Sequence, residues 1–64
     1  MYKVLVLDRD GDEFEYEAIV DYLTIGGSLQ LFHADGSITL YAPEAWLEGV
    51  VSSVDNPQVG DHQL

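Results

Sequence analysis

The chain has 64 residues, twelve of them acidic and two basic, with a formal net charge of −10 and no cysteine. That length makes one domain with a thin core, burying only roughly 60% of its unfolded-chain surface. Without cysteine, disulfides and thiolate metal sites are excluded as supports, which leaves self-association as a homodimer or higher oligomer. The charge excludes direct nucleic-acid binding, which runs on Lys and Arg contacts to phosphate, and attracts a protein partner with a basic surface.

No stretch approaches the ~18 apolar residues that a membrane span requires. Residues 1–8 hold an apolar run too short for a signal peptide. The expectation is therefore a cytoplasmic protein with no membrane partner, and a cysteine-free chain fits a reducing interior.

Residues 2–7 are rich in Val and Leu, with Val4 and Val6 on one side and Leu5 and Leu7 on the other. This predicts a strand covered on both sides, one cover being a second copy. Asp10-Gly11 suits a tight hairpin turn. Glu13, Glu15 and Glu17 then alternate with Phe14, Tyr16 and Ala18, the period of a half-buried strand with a charged outer face. Phe14, Ala18 and Tyr22 also stand at helical spacing, so a helix is the competing reading, disfavoured by the aromatic and β-branched content.

Residues 19–25 continue the strand through a bend, and Gly26-Gly27 breaks it. Residues 28–33 alternate again, Leu29 and Leu31 against Gln30 and Phe32, and Asp35-Gly36 supplies the next hairpin turn. Over residues 38–42 the pattern places Ile38, Leu40 and Ala42 inward and Thr39 and Tyr41 outward. Pro43 ends that strand, and residues 43–46 have room for one short helical turn. Residues 47–54 read as a final strand, with Gly49 marking a bulge or a close approach. The domain is thus expected over 1–54, with 55–64, including Asn56-Pro57, a loose tail. Five short strands at this spacing predict an all-β antiparallel meander curling toward a small barrel.

Several constellations bear on function. The loop Asp8-Arg9-Asp10-Gly11-Asp12 begins like a calcium loop, but the sixth and twelfth positions are Glu13 and Ile19 where Gly and Glu are required, so a solvated turn is the better reading. Glu13, Glu15 and Glu17, extended by Asp21 and by Asp8, Asp10 and Asp12 at the hairpin tip, form an acidic ladder. Same-face carboxylates on a strand stand roughly 6.6 Å apart. Such a row imitates a phosphate backbone and fits a basic groove; it also blunts a strand against aggregation. His33 and His62 are isolated and make no zinc site. Serines 28, 37, 52 and 53 lack a nucleophile elbow, and the chain has little room for a glycosidase cleft, so no enzyme and no cofactor are expected. Among the aromatics, Tyr41 and then Phe32 are the outward candidates for an interface.

Two resemblances accompany this reading. Pro43-Glu44-Ala45-Trp46-Leu47 followed by Val50 resembles the closing segment of an SH3-like barrel. Gly27-Ser28-Leu29-Gln30-Leu31-Phe32, then Asp35-Gly36, then Leu40-Tyr41-Ala42-Pro43 with Trp46, resembles a G-x-L-x-F … A-P-x-x-W pattern of short proteins from actinobacteria and their phages, covering about half the chain. That resemblance implies an all-β fold and a phage setting, and carries no functional residues. The functions expected are a non-enzymatic protein-binding module, such as a small acidic phage-type inhibitor, or alternatively a self-assembling structural protein or a small-ligand-binding β-barrel.

Overall fold

The computed structural model describes residues 1–55 and 60–64. They form one antiparallel sheet of six strands: β1 (Tyr2–Asp8), β2 (Glu13–Ile25), β3 (Ser28–His33), β4 (Ile38–Tyr41), β5 (Trp46–Ser53) and β6 (Asp61–Gln63). The strand order is β4-β3-β2-β1-β5-β6. The first four strands are joined by hairpins; the chain then returns across the sheet to lay β5 beside β1.

The alternation seen in the sequence places one face inside. Val4 and Val6 of β1, Ile19 of β2, Leu29 and Leu31 of β3 and Val51 of β5 are the buried core. Tyr2, Tyr16, Tyr22, Tyr41, Trp46 and Leu64 are half-buried around it. The sheet curls over this face. The Tyr2 and Tyr22 rings meet edge to face at 5.2 Å, and the Trp46 indole N–H donates to the Gly27 carbonyl at 2.8 Å. Gly27 has φ +86°, and a Cβ there would lie 3.2 Å from the Pro43 Cβ. Glycine is required both by the turn and by the return of the chain over it.

Two bulges bend β2. Between the pairs Tyr2↔Ile19 and Val4↔Tyr16, two β2 residues oppose Lys3 alone. Between Ile19↔His33 and Asp21↔Phe32, Val20 has no opposite number. Each inserted residue increases local bending and twist, so a 13-residue strand serves both halves of the sheet. Ala18 adopts φ 56°, uncommon for a residue with a Cβ, and its carbonyl accepts the Ala34 N–H at 2.9 Å. The helical alternative through Phe14, Ala18 and Tyr22 is not realised.

Several expectations are corrected. There are six strands, not five, and the sheet stays open: β4 and β6 are its two edges, with no ladder between them among the described residues. The SH3-like barrel is therefore not formed; edges of four and three residues offer too few backbone groups for a closing ladder. Residues 43–46 make no helical turn. Ala45 N–H donates to the Ala42 carbonyl at 2.9 Å in a single tight turn, and Trp46 is already extended, paired with Asp8 and held by its indole bond.

In β4 the faces are reversed. The register Leu29↔Tyr41 and Leu31↔Thr39 places Tyr41 and Thr39 on the core side, leaving Ile38 and Leu40 outside. The polar ends of the inward residues are satisfied. The Tyr16 and Tyr41 hydroxyls are 2.5 Å apart, and His33 Nε2 lies 2.6 Å from Thr39 Oγ1. Within the expected tail, Asp61–Gln63 pair with β5. Leu64 packs on Gly49, where a Cβ would lie 2.9 Å from the Leu64 Cδ1, so Gly49 marks a close approach. Asn56-Pro57 lies outside the described residues. Phe14, expected inside, is 43% exposed at the open end of the core face.

Among the described residues no helix is long and apolar enough to cross a membrane.

Candidate protein-docking face

The solvent side of β1, β2 and β5 carries the acidic ladder, and the ladder register fixes what stands beside each carboxylate. Leu7 is paired with Glu13 on β2 and with Glu48 on β5. Leu5 is paired with Glu15 on one side and Val50 on the other. The result is an apolar strip, Leu5, Leu7 and Val50, set between carboxylates on both flanks. These side chains with Glu13 and Glu48 line a shallow depression of about 210 Å³. Leu5 is 36% exposed, so no other element of the same chain covers the outer side of β1 there.

The next row along β1 is Lys3, opposite the bulge at residues 17–18 on β2 and paired with Ser52 on β5, which in turn faces Asp61 on β6. Lys3 Nζ is 3.9 Å from Glu15 Oε1, an exposed pair that contributes little to stability. On the far flank Gln63 Nε2 donates to Glu48 Oε1, and the Ser52 hydroxyl to Asp61 Oδ1, both at 2.8 Å. These bonds orient the outer acids from β6, so the terminal strand extends the face. Glu13, Glu15 and Glu17 are all exposed.

The other sequence candidates fall in different places. Asp8 is half-buried and acts structurally: its Oδ1 accepts the Asp10 and Asp12 N–H groups at 2.9 Å, an Asx turn that shapes the hairpin. Asp10 and Asp12 stand exposed at that tip, beyond Glu13. Asp21 is separated from the ladder by both bulges and accepts the Tyr22 N–H. Phe32 is half-buried on the outer face of β3, between Asp21 and Ile38. Tyr41 faces the core. Burial pushes its phenol well above the ordinary range, with the Tyr16 hydrogen bond adding to the effect, so it stays a neutral structural hydroxyl. Asp35, in the β3–β4 turn, is held below the usual carboxylate range by hydrogen bonds from the Ser37 hydroxyl and N–H.

Sequence reading missed Leu5, Leu7, Val50 and Glu48 as members of this face. The signal was present in the alternation of Glu48 and Val50 against Gly49 and Val51, but nothing in it says that β5 returns to pair with β1. Among the described residues no group of three or more His, Asp or Glu is arranged to hold a metal ion.

The crowded carboxylates repel one another with few cations to offset them. Moderate salt should therefore raise the urea midpoint of the isolated domain, since screening shortens the reach of that repulsion to ~8 Å at physiological ionic strength. A fall in the midpoint between low and moderate salt would mean that the acids are paired. Comparison with family models, curated proteins and solved structures finds nothing that matches this chain.

Proposed function

We propose that the protein is a non-enzymatic protein-binding module that docks the outer face of β1, β2 and β5 on a basic protein surface. The observation that carries this reading is the pairing of Glu13 and Glu48 on either side of Leu7, with Glu15 and Val50 on either side of Leu5. Surface acids kept only for solubility have no need of an apolar centre. An apolar strip with a charged rim has the layout of an interface, its centre excluding water and its rim steering the encounter.

The partner that fits is a surface with leucine-sized side chains between Lys or Arg residues. An amphipathic basic helix has this form, its apolar stripe lying in the strip and its cations over the two rows of acids. The row Glu13, Glu15, Glu17 also repeats at nearly the spacing of phosphates along one strand, so a nucleic-acid-binding protein is a suitable target. The resemblance to short actinobacterial and phage proteins agrees with an inhibitor of this kind. The acids would raise the association rate, and the apolar strip would set the residence time.

The test is titration calorimetry with a synthetic helical peptide bearing a leucine stripe flanked by lysines. The expected result is one-to-one binding that weakens steeply with salt yet persists at physiological ionic strength through the apolar contact. Absence of saturable binding, or binding abolished entirely by moderate salt, would leave only unspecific charge attraction.

A further inference from the structure

The second half of the sheet carries an outer face of opposite character. Leu23 and Ile25 of β2, Phe32 of β3, and Ile38 and Leu40 of β4 all point away from the core, since the register Leu23↔Gln30↔Leu40 and Asp21↔Phe32↔Ile38 puts them on the side opposite Leu29 and Leu31. Ile38 and Leu40 are 59% and 66% exposed, among the described residues more than any other large apolar side chains except Val54. The patch exposes on the order of 400 Å², within the roughly 300–600 Å² of the largest apolar patch on a typical monomer, which is often functional. It holds no Lys, Arg or Glu, and its one acid, Asp21, stands at its edge.

We propose that this face binds a second copy of the chain, making a twofold dimer with the β2–β3–β4 faces stacked. Three observations select that occupant. First, on a chain of net charge −10 this is the part of the sheet where two copies can meet without bringing rows of carboxylates together. A basic partner finds no counter-charge here and is drawn to the β1–β5 face instead.

Second, the centre of the patch is self-complementary. Gln30 lies in the middle strand of the three, and its side-chain amide has no hydrogen-bond partner among the described residues. A primary amide both donates and accepts, so two copies of Gln30 across a twofold axis satisfy each other, as an isologous interface requires. Third, two such patches stacked bury about 800 Å² of apolar surface, and with the polar surface that accompanies it in a typical interface the total reaches roughly 1,000 Å², the lower bound for a specific pairing. The dimer would add a second apolar layer to a domain whose own core is thin, while leaving the two acidic faces free.

Sedimentation equilibrium over concentrations up to about 100 µM tests this, a range that reaches the weak association of interfaces at the small end of the size scale. The wild type should be a dimer. Leu40→Glu, and separately Gln30→Glu, which sets two like charges opposite each other at the axis, should each raise the dissociation constant by at least about tenfold. Both positions lie outside the core, and an unchanged circular dichroism spectrum will show each variant folded. Leu5→Glu, on the docking face, should leave the dimer intact. A monomeric wild type at the highest concentration would overturn the proposal, as would a dimer indifferent to Leu40→Glu and Gln30→Glu, or one lost with Leu5→Glu.

Discussion

Leu31→Ala should lower the stability of the domain by about 3 kcal/mol, within the range of roughly 2–5 kcal/mol found for leucine truncation in packed cores. Leu31 is fully buried in the middle of the sheet, paired with Tyr22 on β2 and Thr39 on β4. Among the described residues six side chains make up the buried core, and a core of this size rarely supplies more than about 3–5 kcal/mol in total. The single substitution should therefore remove most of the folding free energy. In urea denaturation the variant should be largely unfolded at 37 °C or have a midpoint near zero. Leu40→Ala, next to Tyr41 in β4 but on the outer face, should shift the stability of the monomer by no more than about 0.5 kcal/mol. A Leu31→Ala loss below about 1 kcal/mol would mean that the sheet does not close over Leu31.

The contrast between Leu31 and Leu40 also shows what the sequence could disclose. Alternation in β2 and β3 was legible because hydrophobicity and facing agree there: glutamates outside, Leu29 and Leu31 inside. In β4 the two disagree. Ile-Thr-Leu-Tyr reads naturally as Ile and Leu inward, yet the register with β3 is set by the Asp35-Gly36 turn, and it turns Thr39 and Tyr41 to the core. That arrangement is tolerable because each buried hydroxyl has a partner, His33 for Thr39 and Tyr16 for Tyr41. No local pattern announces such a pairing across 25 residues.

The bulges were illegible for a related reason. Ala18 carries a left-handed φ that a sequence reader assigns to Gly or Asn. Its tertiary contact to Ala34 holds it there. β6 has no apolar periodicity at all, since Asp61, His62 and Gln63 are all exposed. Backbone pairing with β5 and the side-chain bonds to Ser52 and Glu48 make it a strand. For the docking face, the acidic half was readable from residues 13–17, whereas the apolar strip depended on the return of β5 to β1. A reader who knew only that Leu5 and Leu7 were apolar on the second side of β1 would assign them to self-association. Under the proposed reading, docking falls to the strip between the charge rows and self-association to the separate apolar patch on β2, β3 and β4.

Reversal of the two acids that flank Leu7 bears most directly on the docking face. In Glu13→Lys/Glu48→Lys each attractive rim contact, worth about 0.5–1 kcal/mol, becomes a repulsion of similar size. The affinity for the leucine–lysine peptide should fall by roughly 2–4 kcal/mol, about 30- to 1,000-fold. Both residues are exposed, so the fold should survive. The matched control is Asp21→Lys/Glu44→Lys, which changes the net charge by the same amount at exposed positions off the face. The measurement is the peptide affinity of the two variants side by side, in the same buffer at physiological salt. A large loss in the first with the second within about threefold of wild type is the predicted result. Equal losses in both would show that overall charge alone attracts the peptide, and would contradict a docking face built on β1, β2 and β5.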